Sequence, residues 1–165
     1  LEVDDVEVES KEINRIVHGF KFGLHPGNHN YRVIAKDLAL NESSESFTKI
    51  EYWPRVEFNV LLKPLVAISS IKVPPLPPGS AQTISIPFLV ELRALPNDDP
   101  GFIGEIRLEN EATGYRRTWR EDEIDAIRFE ESILLSKLKE NRIILKVYPK
   151  NGLLREVSQT VKFAR

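Results

Sequence analysis

Three histidines, His18, His25 and His29, stand close together in the chain, and imidazole is a common metal ligand. His25 and His29 flank Pro26-Gly27, a turn pair, so their spacing does not set them on one helical face. No cysteine occurs, which excludes disulfides, thiolate metal sites and a cysteine nucleophile. Turn and surface histidines are the reading that this pattern favours. Oxygen ligands gather at Asp37, Asn41 and Glu42, and again at Asn97, Asp98 and Asp99. Calcium needs a shell of such oxygens, but neither loop has the spaced array of an EF-hand. Asp and Asn also bond local backbone in turns, so no metal site is expected.

Aromatic and basic residues make the second constellation. Tyr115, Arg116, Arg117 and Trp119 fall together, and Tyr52 adjoins Trp53. Flat aromatic rings can stack on sugar rings, and Trp, Tyr and Arg are enriched at partner interfaces. The competing reading has Trp119 closing a core while the arginines pair with Glu121, Asp122 and Glu123, and it carries more weight. The candidate binding residues are therefore Trp119, Arg116, Arg117, Tyr115, Tyr52 and Trp53. Nothing has the spacing of a Ser-His-Asp triad, a phosphate-cradling glycine loop or a carboxylate pair in a cleft. Enzymatic activity has no positive support, and no cofactor is implied. Asn41-Glu42-Ser43 matches a glycosylation sequon, which matters only in a eukaryotic secretory setting.

The 165 residues are 41% hydrophobic and 29% charged, enough for a core of useful size. A formal charge of -2 argues against a nucleic-acid partner, whose recognition would need clustered Lys and Arg. No apolar run is long enough to span a bilayer, and the N-terminus does not read as a signal peptide. The chain starts at Leu1, which leads us to expect a piece of something longer. The lack of Cys and Met beside abundant Glu, Lys and Arg hints at a thermophilic source.

The elements that carry these residues read as strands. Tyr31, Val33 and Ala35 alternate, Asp37 to Ser43 is a turn cluster, and Thr48, Ile50 and Tyr52 restart the alternation. The layout recurs: Ile143, Leu145 and Val147, then Lys150-Asn151-Gly152, then Val161 and Phe163. Upstream, Ile16 to Leu24 matches Ile127 to Leu135, and Val6 to Glu9 matches Glu105 to Leu108. On this alignment the second copy carries an insertion near Thr113 to Glu123. The stretch from Ser132 to Asn141 has helical leucine spacing. Its counterpart contains Gly23, Pro26 and Gly27, so it reads as strand and turn.

The second copy has more in front of it. Ala81 to Ala94 reads as a long strand, with Pro87 marking an edge or a bulge. Val66 to Val73 reads as another strand, and Val73 to Gly79 is a stiff polyproline connector. The first copy then lacks its opening strands, and an unpaired edge is an aggregation hazard. Residues 56–62 could complete the first sheet, the missing strands could lie upstream, or a partner could donate one. The boundary falls near Trp53-Pro54 if the repeat is trusted, or at the proline run if it is not.

Residues Pro26 to Ser43, with their Tyr-x-Val-x-Ala-x-Asp core, resemble the closing strands of bacterial immunoglobulin-like and fibronectin type III-like modules. Leu40 stands where those modules usually carry glycine. Leu138 to Gly152 is similar, although Tyr148-Pro149 departs from the alanine-aspartate pair. The resemblance covers the last three strands of each copy. It implies a fold and an extracellular, cell-surface or periplasmic setting, with no catalytic residues to carry over.

The sequence thus predicts an all-β chain of two tandem immunoglobulin-like β-sandwich units, 1–54 and 55–165, the first incomplete at its N-terminus. The expected function is a non-catalytic spacer or protein-interaction module of a larger exported or surface protein, its angle fixed by a proline-bearing linker. Its partners would be neighbouring domains, with an edge-strand dimer as a further form. The alternative is a module binding carbohydrate or a partner protein through Trp119, Arg116 and Arg117, or through Tyr52 and Trp53.

Overall fold

Alternating apolar residues and turn chemistry leave the backbone one economical solution, antiparallel pairing. The structure, a computed structural model, describes residues 2–3, 6–7, 24–35, 39, 41–43, 46–68, 71, 73, 77 and 81–163. Among these it is all-β: three antiparallel sheets, with 3-10 turns at Pro96–Asp98, Pro100–Phe102 and Glu121–Glu123 and no α-helix. The chain divides into two compact units, Leu1–Pro54 and Arg55–Arg165.

The first unit holds β1 (Glu2–Val3), β2 (Val6–Glu7), β3 (Gly27–Val33) and β4 (Ser46–Tyr52) in one sheet, ordered β2-β1-β3-β4. The hairpin expected around Tyr31 is present, in a register that runs from Gly27 opposite Tyr52 to Val33 opposite Ser46. Ser43 ties the connection: its amide donates to Ala35 O at 2.7 Å, and its hydroxyl accepts from Ala35 N at 3.0 Å. His29 and Tyr31 are buried on one face, whereas Ala35 and Ile50 are exposed. The segment read as Ile16 to Leu24 lies outside the described residues except for Leu24.

The second unit has seven strands: β5 (Asn59–Pro64), β6 (Thr83–Arg93), β7 (Ile103–Asn110), β8 (Tyr115–Arg120), β9 (Arg128–Ser136), β10 (Asn141–Pro149) and β11 (Arg155–Val161). They form a three-stranded sheet, β5-β6-β9, and a four-stranded sheet, β11-β10-β7-β8. Alternation decides which side chains go inward. Ile86, Phe88, Val90 and Leu92 on β6 and Ile133 and Leu135 on β9 are buried on one sheet. On the other, Ile106 and Leu108 on β7 sit opposite Val147 and Leu145 on β10, all without exposure. This is the arrangement of a β-sandwich. The first strand, β5, lies against the last, β11.

Several expectations need correction. Residues 56–62 do not complete the first sheet: Val56 and Phe58 are buried in the second unit, and β5 pairs with β6 from Asn59 opposite Arg93 to Pro64 opposite Phe88. Val66 to Val73 has no strand among its described residues, and Val66 is exposed. Pro87 is on the central strand of its sheet, neither on an edge nor at a bulge. It is tolerated because β5 ends one pair earlier, so no ladder bond is demanded of its nitrogen. Its carbonyl still accepts from Leu65 N at 2.9 Å. The bulge of this unit occurs instead at Tyr148/Pro149, near the end of β10.

The two four-stranded sheets share a strand order. Read from β4, the first sheet runs β4-β3-β1-β2, the same chain-order pattern as β11-β10-β7-β8. By strand order β1 occupies the place of β7, and β2 that of β8. Among the described residues, Val6 and Glu7 are in the edge strand of their sheet, whereas Glu105 to Leu108 are in an internal one.

One polar cluster sits inside the apolar unit. Asn110 and Asn141 are buried at 1% and 0% exposure, with Ser136 beside them. Asn141 Oδ1 accepts from Ser136 N at 2.6 Å and from Asn110 Nδ2 at 3.0 Å. Its Nδ2 donates to Ser136 O at 2.9 Å and Lys139 O at 3.2 Å, with Val161 O at 3.4 Å. Asn110 Nδ2 also donates to Leu134 O at 2.8 Å. These bonds close the 136–141 turn onto β7 and β11. Asn141→Ala would leave several buried backbone groups unpaired, at a cost on the order of 3 kcal/mol. A urea titration with unchanged slope and a lowered midpoint is the expected result. A loss below about 1 kcal/mol would show that water replaces the side chain.

Candidate functional site

Alternation along β8 sends Tyr115, Arg117 and Trp119 to one face and Arg116, Thr118 and Arg120 to the other. The first face turns inward, toward β9. Trp119 is 8% exposed, and its ring meets Phe129 at 5.1 Å between centroids. The Arg117 guanidinium lies 5.5 Å from the Trp119 centroid, a cation–π contact. Tyr115 donates its hydroxyl to Glu131 Oε1 at 2.6 Å. Trp119 thus closes the core at the sandwich edge, beneath an arginine, and offers no open ring to a sugar.

The outward face is laced with both signs of charge. Arg116, with a 78% exposed side chain, is 4.0 Å from Glu109. Arg107 pairs with Glu105 and lies over the Tyr148 ring, and Lys146 is 3.8 Å from Glu156. Pairs this exposed add little stability, but they leave the face without a patch of one sign. The arginines do not meet the acids expected for them. Glu121 is 3.3 Å from Lys150, and the Glu123 carboxylate accepts from the Arg120 backbone N at 3.0 Å. That contact covers an amide at the terminal strand of the sheet.

The other candidates are dispersed. Tyr52, at the end of β4, is exposed, and Trp53 is half-buried with its Nε1 donating to Glu51 Oε1 at 2.5 Å. His29 is buried, and its Nε2 donates to the His25 carbonyl at 2.6 Å, so it serves the local turn. His18 and Asp37 lie outside the described residues. Among the described residues no group of three His, Asp or Glu side chains could hold a metal ion. No helix there is long and apolar enough to cross a membrane, which says nothing of strands.

In the Asn97-Asp98-Asp99 loop the Asp99 carboxylate is turned onto the local backbone. Asp99 accepts from Gly101 N at 2.8 Å, and Asn97 and Asp98 take positive φ, a region open to both residue types. Ala94 also has φ of 63°, where its Cβ is disfavoured. Ala94→Gly should therefore stabilise the unit by about 0.5–1 kcal/mol, after the larger unfolded-state entropy of glycine is subtracted. A lower thermal midpoint for the variant would contradict this.

Phe129 and Glu131 escaped the sequence reading. They stand 10 and 16 residues from the side chains they meet, and only the two-residue alternation of β9 puts both on the inward face. No protein family, curated protein or solved structure matches the chain. The class the coordinates define is an all-β protein with a sandwich in its second unit.

Burial, and then the hydrogen bond to Glu131, hold the Tyr115 hydroxyl well above the usual tyrosine range. Above the ordinary tyrosine value of about 10 the unfolded chain gives up this proton and the folded one keeps it, so stability falls with rising pH. Below that value the contribution is fully present. Tyr115→Phe should cost about 1 kcal/mol at neutral pH and flatten the alkaline loss. Urea titrations at neutral and strongly alkaline pH read both effects. An equally steep alkaline loss in the variant would assign it to other groups.

Proposed function

We propose that this chain is a non-catalytic structural spacer, built of tandem immunoglobulin-like units and carried within a larger exported or cell-surface protein. The observation that carries the reading is the direction of the outer strands of the second unit. β5 begins beside Arg93 and β11 ends beside Asn141, at opposite ends of the sandwich. The chain therefore enters at one end and leaves at the other. Tension along the chain then loads the six pairs of β5 with β6 and the seven of β11 with β10 in shear, so many bonds must yield together. The 3+4 strand order, and the same four-strand order in the first sheet, support immunoglobulin-like units. The exported or surface setting rests on the sequence resemblance of Pro26 to Ser43 alone. Binding of carbohydrate or a partner protein has less support, because the Trp119 ring is covered.

Single-molecule pulling on the full chain tests the spacer reading. The second unit should yield in one step, with a gain in length on the order of 300 Å as its strands straighten. Gradual extension without a force peak would overturn it.

A further inference from the structure

We propose that Asn151 is a site of spontaneous covalent modification, where the side-chain amide is lost through a cyclic imide with Gly152. Asn151-Gly152 is the one Asn-Gly pair in the sequence. It occupies the turn between β10 and β11, in which residues 151–154 are all exposed to water. Gly152 has φ of +142°, a conformation side chains rarely adopt, and it has no Cβ to shield its nitrogen.

The chemistry needs only water. The Gly152 backbone nitrogen, its proton removed by hydroxide, attacks Asn151 Cγ. The new C–N bond closes a five-membered succinimide, and ammonia leaves. Water then opens the ring at either carbonyl. One product is aspartate at 151; the other is isoaspartate, in which the main chain runs through Cβ and Cγ. Either exchanges a neutral amide for a carboxylate, and the second also lengthens the backbone by one carbon.

The turn is where that extra carbon matters. Val56 N donates to Asn151 O at 3.4 Å, and a Cβ at Gly152 would lie 3.2 Å from Val56 O and 3.2 Å from Pro149 Cγ. On its other side Lys150 N donates to Phe102 O at 2.9 Å. The turn thus clasps the segment by which the chain enters the second unit. A longer, charged main chain there cannot keep the same close approach, and the clasp on Val56 loosens with age.

The test incubates the full chain at mildly alkaline pH and follows intact mass, peptide maps and isoaspartate-specific methylation. Conversion should be several-fold faster at Asn151 than at Asn28, Asn59 or Asn97, and should rise in proportion to hydroxide. Asn151→Gln, whose longer side chain cyclises slowly, should suppress most of it. Hydrogen exchange at the Val56 amide should quicken in the isoaspartyl form and stay slow in Asn151→Asp, which adds the charge without the carbon. Retention of the Asn151 amide, or conversion no faster than at the other asparagines, would overturn the site. Unchanged exchange at Val56 in the isoaspartyl form would overturn the loosening.

Discussion

The buried asparagine pair is the constraint on which the second unit depends. A sandwich core of Phe88, Leu92, Ile133 and Leu145 gains from burial whatever its exact register, because apolar contacts are not directional. Hydrogen bonds are directional. Asn141 bonds to the turn that precedes it and to Asn110 on β7, and reaches toward the end of β11. A slip of one residue in β10 would turn Asn141 outward and leave the polar groups of Ser136, Lys139 and Asn110 buried without it. The cluster thus penalises alternatives more than it strengthens the native state.

The edges show the same economy. β8 is short, carries three arginines, and has its last amide covered by the Glu123 carboxylate. These are the devices by which sheets discourage further strand pairing. The ring of Trp119, the largest apolar surface on that strand, is turned under Arg117 toward Phe129. The pattern of Tyr, Arg and Trp that reads as a binding platform in sequence is here also a way to finish a core at its rim.

Much of this architecture was legible because strands with one buried face announce their period. β7, β10 and the hairpin of β3 with β4 all alternate, and the strand-and-turn reading of Ser132 to Asn141 followed from the glycines and proline of the matching segment. Legibility failed where tertiary context overrode local pattern. Val66 to Val73 is apolar enough for a strand, but it leads into prolines, and β5 just before it took the place beside β6. Pro87 looked like an edge signal because its tolerance depends on where a neighbouring strand stops, which the chain does not record locally. The buried roles of Asn110 and Asn141 left no mark in the sequence, since a buried amide and an exposed one have the same letter. Of the candidate site, a Trp119 that closes a core was one of two readings open in the sequence, but the strand β8 that turns it inward, and Phe129 and Glu131 that meet it, became visible only with the sheets in place.

The contact between β5 and β11 bears on how the unit comes into being. The two strands that meet are the first and the last of this unit to be made, with its other five strands synthesised between them. A nascent chain can pair β5 with β6 early, but that sheet faces an unfinished core until the final seven-residue strand is released. Closure waits for β11, and until then the leucines and isoleucines of β6 and β9 stay open to water, to chaperones and to each other.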